Sequence, residues 1–137
     1  MGSERDGGGG LGFSPGAARR WNCRLTTIGR RTGRPRTVTL WWVPDGARVL
    51  LAGGADEPQW CRNLRRDAAV EIEVGGETRR GRARLVDDSA AAAAIRDRFV
   101  ERYLLARVAR LFGGYTRSHA VVVDLEAPVR GRGSAAN

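Results

Sequence analysis

The chain carries little metal-ligating chemistry: its 137 residues include two cysteines, Cys23 and Cys61, and one histidine, His119. The cysteines have no Cys-x-x-Cys spacing, so neither a zinc site nor a disulfide framework is expected, and both read as half-buried thiols in a reducing compartment. No run of about 18 apolar residues exists, and the opening MGSERDGGGG has neither an apolar stretch nor a cleavage-site pattern. A membrane span and a signal peptide are therefore not expected, and a cytoplasmic protein is. Negative charge is also scarce. Fifteen acidic residues face 24 basic ones, every one of them arginine, giving a net charge of +9. Such a field attracts nucleic acid, acidic lipid or an acidic cofactor alike, and does not choose among them.

What the chain does have is arginine in groups. Arg30, Arg31, Arg34 and Arg36 lie in one turn, Arg62, Arg65 and Arg66 on a short helix, and Arg79, Arg80, Arg82 and Arg84 after a hairpin. A solvated basic surface accounts for the last two groups better than for the first. That first turn, RRTGRPR, joins the strand-like LTTIG to TVTLWWV, and a Gly-Gly loop further on opens the helix that holds Gln59 to Asn63. Helix N-termini and nests of backbone N–H groups favour anions, and arginine adds a planar fork that grips two phosphate oxygens at once. The arrangement suits a phosphorylated ligand.

At 137 residues one domain is expected. Residues 1–16, rich in glycine, and the basic tail 128–137 are expected to be disordered, which leaves 17–127 as the folded part. Arg24–Ile28 and Thr37–Val43 read as strands, and Pro44-Asp45-Gly46-Ala47 as a hairpin turn into a third strand, Val49–Ala52. Pro58 suits a first helical turn with Asp56 as its cap, and this helix should run to Arg66. Val70, Ile72 and Val74 alternate with Glu71 and Glu73, and Gly75-Gly76 turns the chain into a strand over Thr78–Val86. A helix from Ser89 has an apolar stripe through Ile95, Phe99, Tyr103, Leu104 and Val108, with Gly113-Gly114 as its stop. His119–Leu125, nearly all apolar, reads as a closing central strand. The fold class expected is mainly β with peripheral helices, a six-stranded antiparallel barrel.

Taken together, LTTIGRRTGRPR, the LWW strand, GGADEPQWCRNL and AAVEIEVGGETRRGRARLV resemble the deazaflavin-dependent nitroreductases, also called F420H2-dependent quinone reductases. The resemblance covers about residues 22–86. It implies a split β-barrel like that of pyridoxamine phosphate oxidases, the acidic coenzyme F420 as cofactor, and hydride transfer from its reduced form to a quinone, an activated alkene or a nitro compound. By the same resemblance Arg30, Arg31, Thr32 and Arg36 hold the phosphate and the first tail carboxylates, and Thr37, Val38 and Trp41 follow along the strand. Ala52, Gly53 and Gly54 let the backbone approach the deazaflavin ring, and Gln59, Trp60, Cys61 and Asn63 lie on the helix beside the cofactor. Tyr115 falls where relatives place aromatic substrate contacts. The loop of Ala52-Gly53-Gly54-Ala55 is shorter than in many relatives and lacks their Ser-Lys pair, so a phosphate contact is missing unless Arg62 or Arg65 replaces it.

Other readings stay open. FMN is the alternative cofactor, and a barrel that binds FMN or haem without reductase activity is an alternative function; haem would need His119, Cys23 or Cys61 as axial ligand. Single-stranded nucleic-acid binding ranks lower, because the arginines form a tight turn and not a long track. Adjacent strand residues face opposite sides, so one of Trp41 and Trp42 should be core. His119 reads as structural or as a surface residue, and Asp87, Asp88, Asp97 and Glu101 as helix cap and helix surface. No catalytic side chain and no metal are assigned, and a homodimer is an expectation the resemblance adds.

Overall fold

The computed structural model describes residues 12–53, 57–103 and 119–126. Six strands form in the expected order: β1 (Asn22–Ile28), β2 (Pro35–Asp45), β3 (Arg48–Gly53), β4 (Ala69–Val74), β5 (Glu77–Leu85) and β6 (His119–Leu125). Three helices accompany them, α1 (Pro15–Ala18), α2 (Gln59–Arg66) and α3 (Ser89–Arg102). The strands close into a barrel in the order β1-β2-β3-β6-β5-β4, with every neighbouring pair antiparallel and β4 returning to β1 through Arg24↔Glu73 and Thr26↔Glu71. The expected six-stranded antiparallel barrel is the fold observed.

Alternation along the strands builds the interior. Cys23, Leu25, Trp42, Val49, Leu51, Ile72, Val74, Val121 and Val123 are all almost fully buried in one cluster, and Trp60, Cys61 and Leu64 of α2 join it. A second cluster forms on the outer wall, where Ile95, Phe99 and Tyr103 cover Val43, Leu50, Ala120 and Val122. The stripe at i, i+4, i+8 of α3 faces the barrel, as helical periodicity requires. β3 and β6 are therefore covered on both faces, which is why β6 is apolar almost throughout. Trp42 points inward and is fully buried, while Trp41 lies on the outer wall against Tyr103.

The two barrel ends are plugged differently. At the end where β1 and β3 finish and β2 and β6 begin, α2 packs across the opening. At the other end the N-terminal segment enters: the Phe13 ring meets Trp42 edge-on at 5.2 Å, and the Trp42 indole N–H donates to the Arg20 carbonyl at 3.0 Å. The fold takes in more of that segment than the boundary at residue 17 allowed, because Phe13 has an aromatic partner across the barrel mouth and Ser14 caps α1. Two helix expectations also shift. Pro58 is itself the cap position of α2, with no side chain capping it, and the expected cap, Asp56, lies outside the described residues. Asp88 caps α3 through a bond from the Ala91 N–H at 2.7 Å, and the described helix ends at Arg102; Leu104, Val108 and the expected stop at Gly113-Gly114 lie outside the described residues. Among the described residues no helix is long and apolar enough to cross a membrane.

Candidate functional site

The turn between β1 and β2 is locked by its own backbone. The Gly29 N–H donates to the Arg34 carbonyl and the Gly33 N–H to the Gly29 carbonyl, both at 2.8 Å, and the Thr32 hydroxyl accepts from the Arg34 N–H at 3.1 Å. Gly33 has φ of +72°, a conformation in which a side chain would be strained. The RRTGRPR sequence thus forms a compact loop that brings Arg30, Arg31 and Arg36 round one opening.

Helix α2 forms the facing wall. The Asn63 side chain, buried at 4% exposure, accepts from both the backbone N–H and the guanidinium of Arg30 and donates to the Thr27 hydroxyl. Between turn and helix lies a cavity of about 660 Å³, lined by Gly29, Arg30, Arg31, Thr32, Pro35, Arg36, Thr37, Val38, Gln59, Trp60 and Asn63. Its size is that of an organic ligand site. Among the described residues no carboxylate pairs with Arg30, Arg31, Arg34 or Arg36, so the opening keeps its positive charge. The donor set and the partly apolar lining fit a large, aromatic, acidic group. The second arginine expected to help is engaged elsewhere: Arg65 grips Glu57 with two bonds of 2.8 and 2.9 Å, which hold the Glu57 carboxyl below its usual range.

The structure brings Arg30, Arg31, Thr32, Arg36, Thr37, Val38, Gln59, Trp60 and Asn63 together at this cavity. It places the other named positions elsewhere. Trp41 stacks on Tyr103 at 4.6 Å with rings parallel, and Ala52 packs in the same outer cluster. Gly53 is small for a neighbour within the chain: a Cβ there would meet the Pro58 ring at 3.0 Å and the Cys61 sulfur at 3.1 Å. Cys61 is fully buried. Burial pushes its thiol up to about 12, with the Glu57 carboxylate adding to the effect, and burial does the same to Cys23. Neither suits thiolate ligation of haem. Gly54 and Tyr115 lie outside the described residues. Gly29 and Pro35 line the cavity without having been named, although both stand inside the turn motif; Thr27, which anchors Asn63, left no signal beyond its place in a strand.

Trp60 combines two roles, as a wall of the cavity and as a member of the interior cluster. His119 is half-buried with its Nε2 3.9 Å from Glu57, away from the cavity lining. Among the described residues no three His, Cys, Asp or Glu side chains come together as a metal site.

Comparison with known proteins identifies the family and the fold. The F420H(2)-dependent quinone reductase Rv1261c of Mycobacterium tuberculosis is 38% identical over 55 residues, 37% of this chain and 37% of its own length. The match thus spans little more than a third of that relative. Among solved structures, an F420-H2-dependent reductase, FDR-A, superposes with a TM-score of 0.61 at 20% identity, covering 76% of this chain and 94% of that one. A Listeria innocua protein assigned as a pyridoxamine 5′-phosphate oxidase gives 0.58 at 14% identity, covering 79% and 86%, which places the barrel in that fold group. The family model for F420H(2)-dependent quinone reductases matches residues 15–125, most of the chain, and the protein belongs to that family.

Proposed function

We propose that the protein binds coenzyme F420 in the cavity between the β1–β2 turn and α2 and is an F420H2-dependent reductase of an electron-poor small molecule, with quinones as the first class to test. The observation that carries this reading is the group of Arg30, Arg31 and Arg36, unpaired with any described carboxylate, round a cavity walled by Trp60. Family membership supports it. Arg31 and Arg36 would hold phosphate and tail carboxylates, Thr32 and Thr37 would add hydroxyl donors, and Val38 with Trp60 would keep water from the ring. When bound, the reduced deazaflavin supplies a hydride from its C5. The chain's part is to bind, orient and exclude water, so no acid or base need sit in the lining.

Anaerobic mixing of F420H2, a soluble quinone and the protein tests the activity. The expected result is quinone-dependent oxidation of F420H2 proportional to protein, with kcat/KM for F420H2 falling about tenfold or more in Arg36→Ala, the loss of one charge-assisted contact. Oxidation no faster than without protein, across quinone, nitro and activated-alkene acceptors, would overturn the reading.

A further inference from the structure

The three cavity arginines are not equivalent. Asn63 Oδ1 accepts from two groups of one residue, the Arg30 backbone N–H at 3.2 Å and its Nη1 at 3.1 Å. Asn63 Nδ2 donates to Thr27 Oγ1 at 3.1 Å, and Thr27 is fully buried. An amide turned the other way would set its own N–H groups against two donors, so the orientation is dictated by its neighbours. The Arg30 side chain is thereby folded back over its own peptide and fastened to α2, half-buried. Arg31 and Arg36 line the same cavity as exposed side chains, with no hydrogen bond or ion pair to another described residue.

We propose that this clamp divides the work: Arg30, immobilised by Asn63, reads the position of a phosphate-type oxyanion, while Arg31 and Arg36 hold the remaining phosphate and carboxylate charge as mobile cations with no fixed geometry. A guanidinium already fixed loses little freedom on binding and offers its remaining donors in one geometry, whereas a mobile one acts as charge. Asn63 is then a positioning residue that acts through Arg30. The inference rests on the cavity being the cofactor site, and it says which of its cations sets specificity.

Replacing each arginine by lysine keeps the charge and removes the planar fork. Fluorescence titration with F420 is expected to show about tenfold or greater weakening for Arg30→Lys, and less than about threefold for Arg31→Lys and Arg36→Lys at the same ionic strength. Asn63→Ala should weaken binding as Arg30→Lys does, and the double variant should be no weaker than the worse single one, the signature of one coupled unit. Because Asn63→Ala leaves the buried Thr27 hydroxyl without its partner, Asn63→Asp is made beside it. The aspartate retains an acceptor for Arg30 and for Thr27, so it should remain folded by thermal melting yet bind F420 weakly, its charge cancelling that of Arg30. Equal losses in the three lysine variants, additive effects of Arg30→Lys and Asn63→Ala, or wild-type affinity in Asn63→Asp would overturn the inference. Inorganic pyrophosphate is titrated in parallel: wild type that ignores F420 defeats the proposed cofactor, while the order of the lysine variants toward pyrophosphate still decides the role of Arg30.

Discussion

Glu77 is the residue from which the N-terminal segment hangs. Its carboxylate accepts from the Ser14 hydroxyl and, at 3.0 Å, from the Ser14 backbone N–H, with Arg79 3.6 Å away. The Ser14 bonds, hydroxyl first and backbone second, hold its pKa below the ordinary 4.5. A carboxylate with a depressed folded-state pKa contributes stability that is complete above the unfolded value of 4.5 and is lost as pH falls through the folded value. Glu77→Gln should therefore melt below wild type at about pH 7, with the gap closing on acidification to about pH 3. A gap in melting temperature that stays constant over that range would contradict the assignment. The Glu77–Ser14 pair joins positions 63 residues apart, and nothing in the glycine-rich opening of the chain announces it. The RRTGRPR turn is the opposite case: its loop geometry is set by residues within the motif, and its basic character could be read directly.

At the scale of elements, the end of α3 shows where pattern reading stops. Ile95, Phe99 and Tyr103 continue one helical stripe, and the residues that follow extend it in sequence. Tyr103 nevertheless leaves the helix with φ of −119° and ψ of 114°. Its hydroxyl accepts from the Trp42 backbone N–H at 3.0 Å and from Arg102 Nε at 3.0 Å, and its proton faces the carbonyls of Trp21 and Trp42. Its ring stacks on Trp41, and Arg102 reaches back to the Ala18 carbonyl at 2.9 Å. These partners come from β2 and the N-terminal segment, so a stop dictated by them leaves no local trace. Tyr103→Phe keeps the ring and leaves the buried Trp42 N–H without its acceptor. The expected cost is about 1–3 kcal/mol in urea unfolding, and a midpoint unchanged from wild type would refute the clamp. Helix α2 was readable as an element from Pro58 and its apolar positions. That Asn63 faces the β1–β2 turn, and that Cys61 and Gly53 fill each other's space, depend on how α2 lies across the barrel.

For the whole molecule, the hairpins β2–β3 and β4–β5 are local and carry their own turn residues, Asp45-Gly46 and Gly75-Gly76, so they are visible in the sequence. Closure is not: β6 lies between β3 and β5, and β4 pairs with β1, by contacts distant along the chain. Closure is what carries the turn of the β1–β2 hairpin to α2 and makes a cavity from two segments separated in the chain, with Arg30 and Asn63 33 positions apart. The barrel thus presents a cationic mouth at the α2 end and a packed N-terminal plug at the other. The most direct test of that account is equilibrium fluorescence titration of the wild-type protein with coenzyme F420 and, separately, FMN at physiological salt. Saturable one-to-one binding of F420, tighter than FMN and weakened by Arg36→Ala, is the result expected. Preference for FMN, or no saturable binding of F420, would contradict it.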